Sequence, residues 1–276
     1  MRPISIPVFI KRMYYLNDSP DKICADIRAA YPLLQKTDIA VSIVIPAYNE
    51  EKSILKTLNA IVNNKTKYGI EILVVNNNSK DKTEELVIQS GVRCILEPIQ
   101  GITAARNAGL AASKGKYILN ADADTIYPQD WIEEMVKPLA EGYGVAAVYG
   151  SFAFIPTKGT ARLVYFCYEY MADFMRWINK RFREEAMNVY GFNSCFRKDQ
   201  GVAVEGYNHP AGTNEDGWLA LKLREKGFGK LYAVRKNSAL VWTEDRRIQM
   251  DGGLWRGSIK RLRRMLGFST EGRNDL

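Results

Sequence analysis

Short apolar runs alternate along this chain with segments of helical spacing, and the runs end in polar tips. Residues 41–45, 70–75 and 117–119 are rich in the apolar side chains that fill buried parallel strands. Between them, apolar residues recur every three or four positions, as in an amphipathic helix. This alternation predicts an α/β fold with a mostly parallel central sheet flanked by helices. We expect the three polar tips to share one rim, because parallel strands present their carboxyl ends together.

The flanking segments complete the predicted organisation. Residues 1–40 are expected to form an N-terminal helical arm, in which Ser19 caps a helix. Residues 41–250 form the main domain, and residues 251–276 form a basic, amphipathic C-terminal tail. An aromatic-rich helix is predicted at 161–180. It has two interpretations, as a core helix or as a helix lying in a membrane interface.

The net charge, the hydrophobic fraction and the cysteine spacing limit what this protein can bind and where it can work. A net charge of +8, from 39 basic and 31 acidic residues, favours an anionic partner. That partner is a nucleic acid, a membrane surface or a phosphorylated substrate. A hydrophobic fraction of 46% supplies a full core and argues against a disordered chain. Four cysteines without a CxxC pair indicate reduced, intracellular usage rather than a disulfide framework.

The sequence shows no pattern typical of secretion or membrane spanning. The apolar run at residues 1–10 is too short for a signal peptide, and no small-residue cleavage site follows it. No run of about 18 apolar residues is present to cross a bilayer. We therefore predict a cytoplasmic protein and leave attachment to the inner face of the cell membrane open.

Asp122 and Asp124 follow the apolar run at 117–119. Alternate side chains of an extended segment point the same way, so both carboxylates can reach one point beyond the strand. Hard oxygen ligands of this kind suit Mg²⁺ or Mn²⁺, which bind through one or two carboxylates and substrate phosphates. The alternative is a polar connection from strand to helix, with Asp130 as the cap of the next helix.

Further polar side chains follow the other strands. Tyr48 offers a ring face for a nucleobase, and Glu50 can accept a hydrogen bond from a ribose or a base. The amide of Asn77 both donates and accepts, as a base edge requires. Arg106 lies in a predicted small-residue helix at 103–113 and can pair with phosphate in a forked geometry. Each also has an ordinary structural interpretation, as packing, a turn or part of a helix.

The order of these motifs resembles glycosyltransferase family 2 over about residues 40–250. The segments that carry the resemblance are residues 41–50, 76–83, 104–109, 122–124, 190–198, 206–207 and 214–216. The resemblance implies a GT-A fold in which residues 41–125 bind a nucleotide-diphosphate sugar and residues 126–250 bind the acceptor. It further implies metal-dependent, inverting transfer to a glycan or lipid-linked acceptor, in the synthesis of a cell-surface polysaccharide or a lipid-linked glycan.

The resemblance also implies roles for individual residues. Asp124 would ligate a metal that bridges the diphosphate, and Asp122 would join it or hold sugar hydroxyls. The residues implied in nucleotide binding are Pro46, Tyr48, Glu50, Asn77, Arg106 and Asp122.

Residues 215–216 are the implied catalytic pair. Asp216 would take the proton of the acceptor hydroxyl, with Glu215 beside it, and direct attack would then invert the anomeric carbon. The alternative is ordinary acidic capping of a helix. Trp218 would line the acceptor pocket or belong to the core. Arg246 and Arg247 would clamp the diphosphate or lie in a solvated loop.

Two departures from the family pattern affect specificity. Asn76 and Asn77 stand where the family commonly has two aspartates, so UDP, GDP and other nucleotides remain open. Trp242 stands roughly where a late histidine often helps to bind metal, and His209 lies elsewhere. We therefore expect weak metal binding in the absence of substrate.

The sequence disfavours two other functions. A sugar-phosphate nucleotidyltransferase would need a glycine-rich loop with arginine after the first strand, and residues 46–51 contain neither glycine nor arginine. A basic nucleic-acid-binding protein would explain the charge of +8. Carboxylates at the strand ends would repel its phosphates, so we expect no nucleic-acid partner.

Overall fold

A computed structural model describes residues 2–250 apart from 143 and 158, and it does not describe the side chains of residues 247 and 250. The predicted tail at 251–276 therefore lies outside the described residues. The strands are β1 (Val41–Ala47), β2 (Ile70–Asn76), β3 (Arg93–Leu96), β4 (Tyr117–Asn120), β5 (Thr125–Ile126), β6 (Val145–Tyr149), β7 (Phe152–Ile155), β8 (Ser194–Arg197), β9 (Lys230–Ala233) and β10 (Val241–Glu244).

Helices connect these strands, with three short 3-10 turns at Tyr31–Leu33, Glu185–Asn188 and Asn237–Ala239. The α-helices in the described part of the chain are α1 (Val8–Tyr14), α2 (Pro20–Ala30), α3 (Ile54–Val62), α4 (Thr83–Gln89), α5 (Ile102–Ala112), α6 (Trp131–Glu141), α7 (Arg162–Phe182), α8 (Lys198–Ala203), α9 (Glu215–Glu225) and α10 (Arg246–Met250).

Seven strands form the central sheet, in the order β3-β2-β1-β4-β8-β6-β9. Neighbouring strands are parallel except around β8, which runs antiparallel to both β4 and β6. Two antiparallel pairings in succession leave β6 and β9 parallel to β1, β2 and β4. The carboxyl ends of all five therefore lie on one rim, as the sequence predicted for the first three. The predicted α/β class with a mostly parallel sheet is confirmed.

A second sheet of three strands, β5-β10-β7, lies beside this rim. β10 runs parallel to β7 and antiparallel to β5, which follows directly after the Asp122–Asp124 tip. The central sheet therefore holds the polypeptide before that tip, through β4, and the second sheet holds it after the tip, through β5.

Residues 1–40 contain two helices rather than one. α2 begins at Pro20, and the Ser19 hydroxyl accepts a hydrogen bond from the Lys22 N–H (3.4 Å), as predicted. Ile23 and Ile27 of α2 pack into the same core as β1 and β2. The apolar face of this helix is thereby removed from water.

One predicted boundary was wrong, that of the strand at 41–45. β1 continues through Pro46 to Ala47, because its pairing with β4 ends at Val44 and proline is tolerated where one side of a strand lacks a partner. Within the motif segment 190–198, the strand β8 begins only at Ser194. Asp130 precedes α6, but its side chain makes no capping hydrogen bond.

α7 is not a core helix. Only Tyr165, Glu169 and Asn179 of its 21 residues are buried. Large apolar side chains point outward, and those more than two-fifths exposed are Leu163, Val164, Tyr170, Met171, Phe174, Trp177 and Phe182. Among the helices that the structure describes, none has the length and apolar character needed to cross a bilayer.

Candidate active site

Hydrogen bonds tie the loop after β1 to the loop after β2. The Asn49 N–H donates to the Ser79 hydroxyl (3.0 Å), and the Lys80 N–H donates back to the Asn49 side chain (2.8 Å). The Glu50 N–H donates to the Thr83 hydroxyl (2.8 Å) at the start of α4. Two adjacent strand ends are thus fixed as one surface. Asn49 has a φ of 55°, a left-handed value that asparagine tolerates.

The Asp122–Asp124 tip follows β4 on the same rim. The Asp122 N–H donates to the Tyr127 hydroxyl (2.8 Å), which donates in turn to the Phe192 carbonyl (3.1 Å). Tyr127 is fully buried, so it joins the tip to the segment that enters β8. The Thr125 hydroxyl lies 3.4 Å from an oxygen of Asp124. The hydrogen bond from Asp122 to the buried Tyr127 therefore fixes the backbone of the tip, and the two carboxylates of the tip lie at the rim.

Arg106 brings distant carboxylates together. Its guanidinium lies 3.1 Å from Asp122, 3.3 Å from Asp216 and 3.9 Å from Glu215. The side chain is only 2% exposed, and it comes from α5, behind β1. Burial disfavours its charged form, but the surrounding carboxylates outweigh burial and raise the pKa of Arg106. One guanidinium therefore holds the predicted metal-binding tip and the predicted catalytic pair in a single cleft.

Asp216 lies in the first turn of α9. Asn214 caps this helix, as its side chain accepts a hydrogen bond from the Gly217 N–H (2.8 Å). Burial raises the pKa of Asp216 well above its usual value; Arg106 opposes this shift, and the nearby Glu215 carboxylate reinforces it. One Asp216 oxygen is buried and accepts no hydrogen bond from the residues that the structure describes. That oxygen is buried against the Arg106 guanidinium, 3.3 Å from its Nε.

Gly191 is a site residue that sequence analysis did not single out. A Cβ at this position would overlap both the Arg106 guanidinium and the Asp216 carboxylate. Any side chain there would separate the two groups or push them from the cleft. The glycine stands within the quoted 190–198 motif, but only the tertiary contact reveals why the position must be small.

Arg246 forms a second bridge, at the other side of the tip. Its guanidinium pairs with a Glu50 oxygen and lies 3.3 Å from an oxygen of Asp124. The Ser53 hydroxyl donates to the second Glu50 oxygen. This arrangement joins the loop after β1 to the tip after β4. Arg246 is 42% exposed, so the bridge opens toward solvent.

The remaining predicted residues divide between the surface and the interior. Tyr48 is 40% exposed beside the tied loops, while Pro46 is buried within β1. Trp218 is partly buried on α9. Arg247 lies in α10, and its side chain lies outside the described residues.

Asn77 is largely engaged by the backbone. Its amide donates to the carbonyls of Glu97 (3.0 Å) and Ile99 (2.7 Å), and its oxygen accepts from the Gly101 N–H (2.8 Å). Both amide hydrogens are thus used in shaping the loop between β3 and α5. This side chain fixes the edge of the cleft and presents at most its second oxygen lone pair to a ligand.

The donor set suits a metal that shares its ligands with phosphate. Within the described residues, no three His, Cys, Asp or Glu side chains group closely enough to hold a metal ion alone. Asp122 and Asp124 offer hard oxygen ligands beside each other, which is what Mg²⁺ or Mn²⁺ needs when phosphates and water complete its shell. Trp242 is buried under the Arg162 guanidinium (5.1 Å) and offers no ligand atom. The residues present therefore fit a metal that arrives with a diphosphate.

Comparison with solved structures shows the fold. The mannosyltransferase PcManGT from Pyrobaculum calidifontis, solved with GDP-Man and Mn²⁺, superposes with a TM-score of 0.56 at 20% identity, covering 89% of this chain and 76% of that one. Glucosyl-3-phosphoglycerate synthase from Mycobacterium tuberculosis, solved with Mn²⁺, UDP and phosphoglyceric acid, gives 0.55 at 20% identity, covering 90% and 84%. The fold is GT-A, as predicted.

Sequence relatives agree. Glycosyltransferase AglE from Haloferax volcanii is 36% identical over 160 residues, which cover 54% of this chain and 51% of the relative. The probable glycosyltransferase YdaM from Bacillus subtilis is 30% identical over 220 residues, covering 74% of this chain and 50% of the relative. The chain thus spans about half the length of both. Residues 42–199, more than half of the chain, match the family model Glycosyl transferase family 2. The chain belongs to glycosyltransferase family 2.

Proposed function

We propose that this protein transfers a sugar from a nucleotide-diphosphate sugar to an acceptor hydroxyl, with inversion at the anomeric carbon. The observation that carries this proposal is the Arg106 guanidinium, which lies within 3.3 Å of both Asp122 and Asp216. A transferase of this type needs groups that hold the leaving diphosphate and a base that activates the acceptor hydroxyl. The two must lie on opposite sides of the reacting carbon. The contacts of Arg106 with Asp122 and Asp216 support the proposal that these groups share one cleft.

The donor would bind over the carboxyl ends of β1, β2 and β4. The half-exposed ring of Tyr48 is available to stack on the base, with Pro46 behind it in β1. Glu50 accepts from a ribose hydroxyl when Arg246 turns toward the diphosphate. Asn77 shapes the base edge of the cleft through its backbone bonds, which leaves both UDP and GDP open as carriers. The two structural neighbours were solved with different carriers, GDP-Man in one and UDP in the other.

Asp124 and Asp122 would hold Mg²⁺ or Mn²⁺ together with the diphosphate. When bound, the metal offsets the negative charge that develops on the departing nucleotide. Arg246 lies beside Asp124 and carries a permanent charge that can pair with a phosphate oxygen. Arg247 would add a second guanidinium. The proximity of Arg246 to Asp124 supports the idea that this corner of the cleft attracts cations even before a donor binds.

Asp216 would act as the general base. Its carboxylate would accept the proton of the acceptor hydroxyl as the hydroxyl oxygen attacks the anomeric carbon from the face opposite the diphosphate. Attack from the opposite face inverts the configuration. Glu215 raises the proton affinity of Asp216, and Arg106 opposes this effect from 3.3 Å away. Trp218, which is partly buried on α9 three residues after Glu215, would contact the acceptor.

A screen of nucleotide sugars tests the donor and the metal together. The wild-type protein is expected to hydrolyse one nucleotide sugar slowly in Mg²⁺ or Mn²⁺ and to gain thermal stability from it, and both effects should vanish in EDTA. Asp124→Ala should lose the metal-dependent stabilisation. Retention of full metal-dependent activity by this variant would reject the assignment of Asp124. The anomeric configuration of the product, measured by NMR, tests inversion directly.

We further propose that the protein works on a cell-surface or lipid-linked glycan at the inner, cytoplasmic face of an anionic membrane. The outward apolar side chains of α7 support this, since such a stripe suits an interfacial helix. Lys180, Arg181 and Arg183 extend from the same end of the helix and match anionic headgroups in charge. Cosedimentation with vesicles of phosphatidylglycerol tests the contact. Equal binding to neutral phosphatidylcholine vesicles would show that attraction between the basic residues and anionic headgroups does not contribute to the contact.

A further inference from the structure

A second cavity, of about 250 Å³, opens on the same rim beyond the proposed catalytic cleft. It lies at the carboxyl ends of β6 and β9, between those strand ends and α7. Its ionisable lining is strongly unbalanced, with five cations and one carboxylate: Arg2, Arg176, Lys180, Arg235, Lys236 and Asp173. We refer to it as the basic cavity.

Two of the cations are neutralised nearby. Lys180 pairs with Glu185 (2.6 Å), and Lys236 pairs with Glu134 (2.7 Å). Arg235 differs from both, because its exposed side chain forms no hydrogen bond or ion pair with the residues that the structure describes. The cavity therefore has at least one cation that is available to a ligand.

Arg2 and Arg176 share a single carboxylate. Two nitrogens of Arg2 donate to Asp173 (2.5 and 2.8 Å), and Arg176 pairs with the same group. Burial opposes ionisation of Asp173, but the two guanidiniums outweigh burial and keep its pKa below the usual value. The ionised group positions both arginines yet cancels only one charge. Arg2 also lies 3.6 Å from Glu169, which is itself paired with Arg162 (2.9 Å).

Arg176 is held in place before any ligand arrives. It donates to the Ser151 hydroxyl (3.2 Å), and its guanidinium lies 5.5 Å from the centre of the Phe152 ring. A guanidinium fixed in this way loses little conformational entropy when its fork meets a phosphate. The basic cavity thus combines a preorganised arginine with the unpaired Arg235, and both line a volume large enough for a phosphate.

Aromatic side chains form the outer wall of the cavity. Tyr170 and Trp177 of α7 line it and remain 41% and 49% exposed. The Trp177 ring is stacked with that of Phe174, which belongs to the apolar stripe. A ligand with its anionic group inside the cavity would therefore extend any attached apolar chain along α7.

The cavity is close enough to the proposed base to serve the same reaction. Asn188 lines the cavity, while Gly191 abuts Asp216. Three residues of chain span at most about 11 Å. A phosphate in the cavity beside Asn188 and a hydroxyl at Asp216 can thus belong to one acceptor molecule.

We propose that the basic cavity binds a phosphate group of the acceptor, a proposal that rests on the transferase function inferred above. The charge of the lining selects the phosphate, and the wall of Tyr170 and Trp177 favours an apolar chain attached to it. The acceptor class is therefore a phosphorylated molecule, with a lipid phosphate preferred over a water-soluble sugar phosphate.

Calorimetric titration in EDTA tests this, since EDTA removes metal-dependent binding at the donor site. The probes are farnesyl phosphate, farnesol, glucose 1-phosphate and dihexanoyl phosphatidylglycerol. Farnesyl phosphate should bind wild type at least tenfold more tightly than farnesol. Arg235→Gln and Arg176→Lys should each weaken that binding about tenfold or more, because a charge-assisted or forked contact is lost. Lys226→Gln, an exposed change at the far end of α9, is the charge-matched control and should bind as wild type does.

The outcomes separate the sources of phosphate. Loss of glucose 1-phosphate binding in the same variants, with no preference for farnesyl phosphate, would retain the phosphate site and select a water-soluble acceptor. Equal, variant-sensitive binding of phosphatidylglycerol would assign the cavity to bilayer headgroups and overturn the acceptor role. Unchanged affinities in both arginine variants would overturn the site itself. Donor hydrolysis by wild type needs no acceptor except water, so it reports on the transferase function independently.

Discussion

Two parts of one rim have opposite charge. In the proposed catalytic cleft, five carboxylates share two guanidiniums: Glu50, Asp122, Asp124, Glu215 and Asp216 with Arg106 and Arg246. In the basic cavity the excess is reversed. We propose that a cation completes the first region and an anion the second. A metal-bound diphosphate donor and a phosphorylated acceptor would satisfy both, and their charges would put each substrate on its own side of Asp216.

The regions also differ in how they are built. The catalytic cleft depends on strand ends and helix starts, where position along the chain fixes position in space. The basic cavity is assembled from segments with no local relation, such as Arg2 and Asp173. Local motifs therefore predicted the first region, and only packing revealed the second.

The largest expected effect is on catalysis at the boundary between the regions. Asp216→Asn keeps the volume of the side chain but removes the proton-accepting charge, so kcat for transfer should fall by about 10²- to 10⁴-fold. Donor affinity, measured by thermal stabilisation with metal and nucleotide sugar, should stay within a few-fold of wild type. A near-normal kcat in this variant would contradict the assignment of Asp216 as the general base.

The next effect is on stability within the catalytic cleft. Arg106→Met removes a cation that is 2% exposed and leaves Asp216 buried without its partner. The free energy of unfolding in urea should fall by about 3–5 kcal/mol. Arg224→Met is the matched control, because it breaks the partly exposed pair with Glu184 and should cost at most about 1 kcal/mol. Equal losses in the two variants would contradict a special role for Arg106.

The pH profile of activity tests whether the Glu215 carboxylate raises the pKa of Asp216. Activity requires ionised Asp216, so kcat/KM should rise as pH rises through its raised pKa. Glu215→Gln removes a neighbouring negative charge, which lowers the pKa of Asp216 and moves this acid limb to lower pH. The shift is read from the midpoint of the limb rather than from the maximal rate. An acid limb unmoved by the substitution would show that Glu215 does not act on Asp216 electrostatically.

The smallest effect concerns the apolar stripe beside the basic cavity. Phe174→Ser removes a ring that is 54% exposed, so it should lower affinity for phosphatidylglycerol vesicles roughly fivefold while leaving the urea midpoint nearly unchanged. Ile88→Ser alters a similarly exposed side chain on α4 and serves as the control. Equal loss of vesicle binding in the two variants would contradict the proposal that α7 contacts the membrane.

Much of the fold could be predicted because the spacing of apolar residues along the chain differs between strands and helices. The strands at β1, β2 and β4 and the cap of α9 at Asn214 depend on neighbours within a few residues. Burial was less predictable, and α7 illustrates why. Its composition suits either a core or an interface, and the sequence does not say which face meets other elements.

The sequence by itself determined the α/β alternation, the family and the identity of the carboxylates at the rim. These features follow from local pattern and from the fixed geometry of parallel strands. Only the tertiary structure decided that Arg106 joins Asp122 to Asp216, that Gly191 must lack a side chain, and that Arg2 reaches Asp173 to form the basic cavity. The reason is physical: contacts between residues far apart in the chain depend on how the whole core packs, and no local segment specifies that packing.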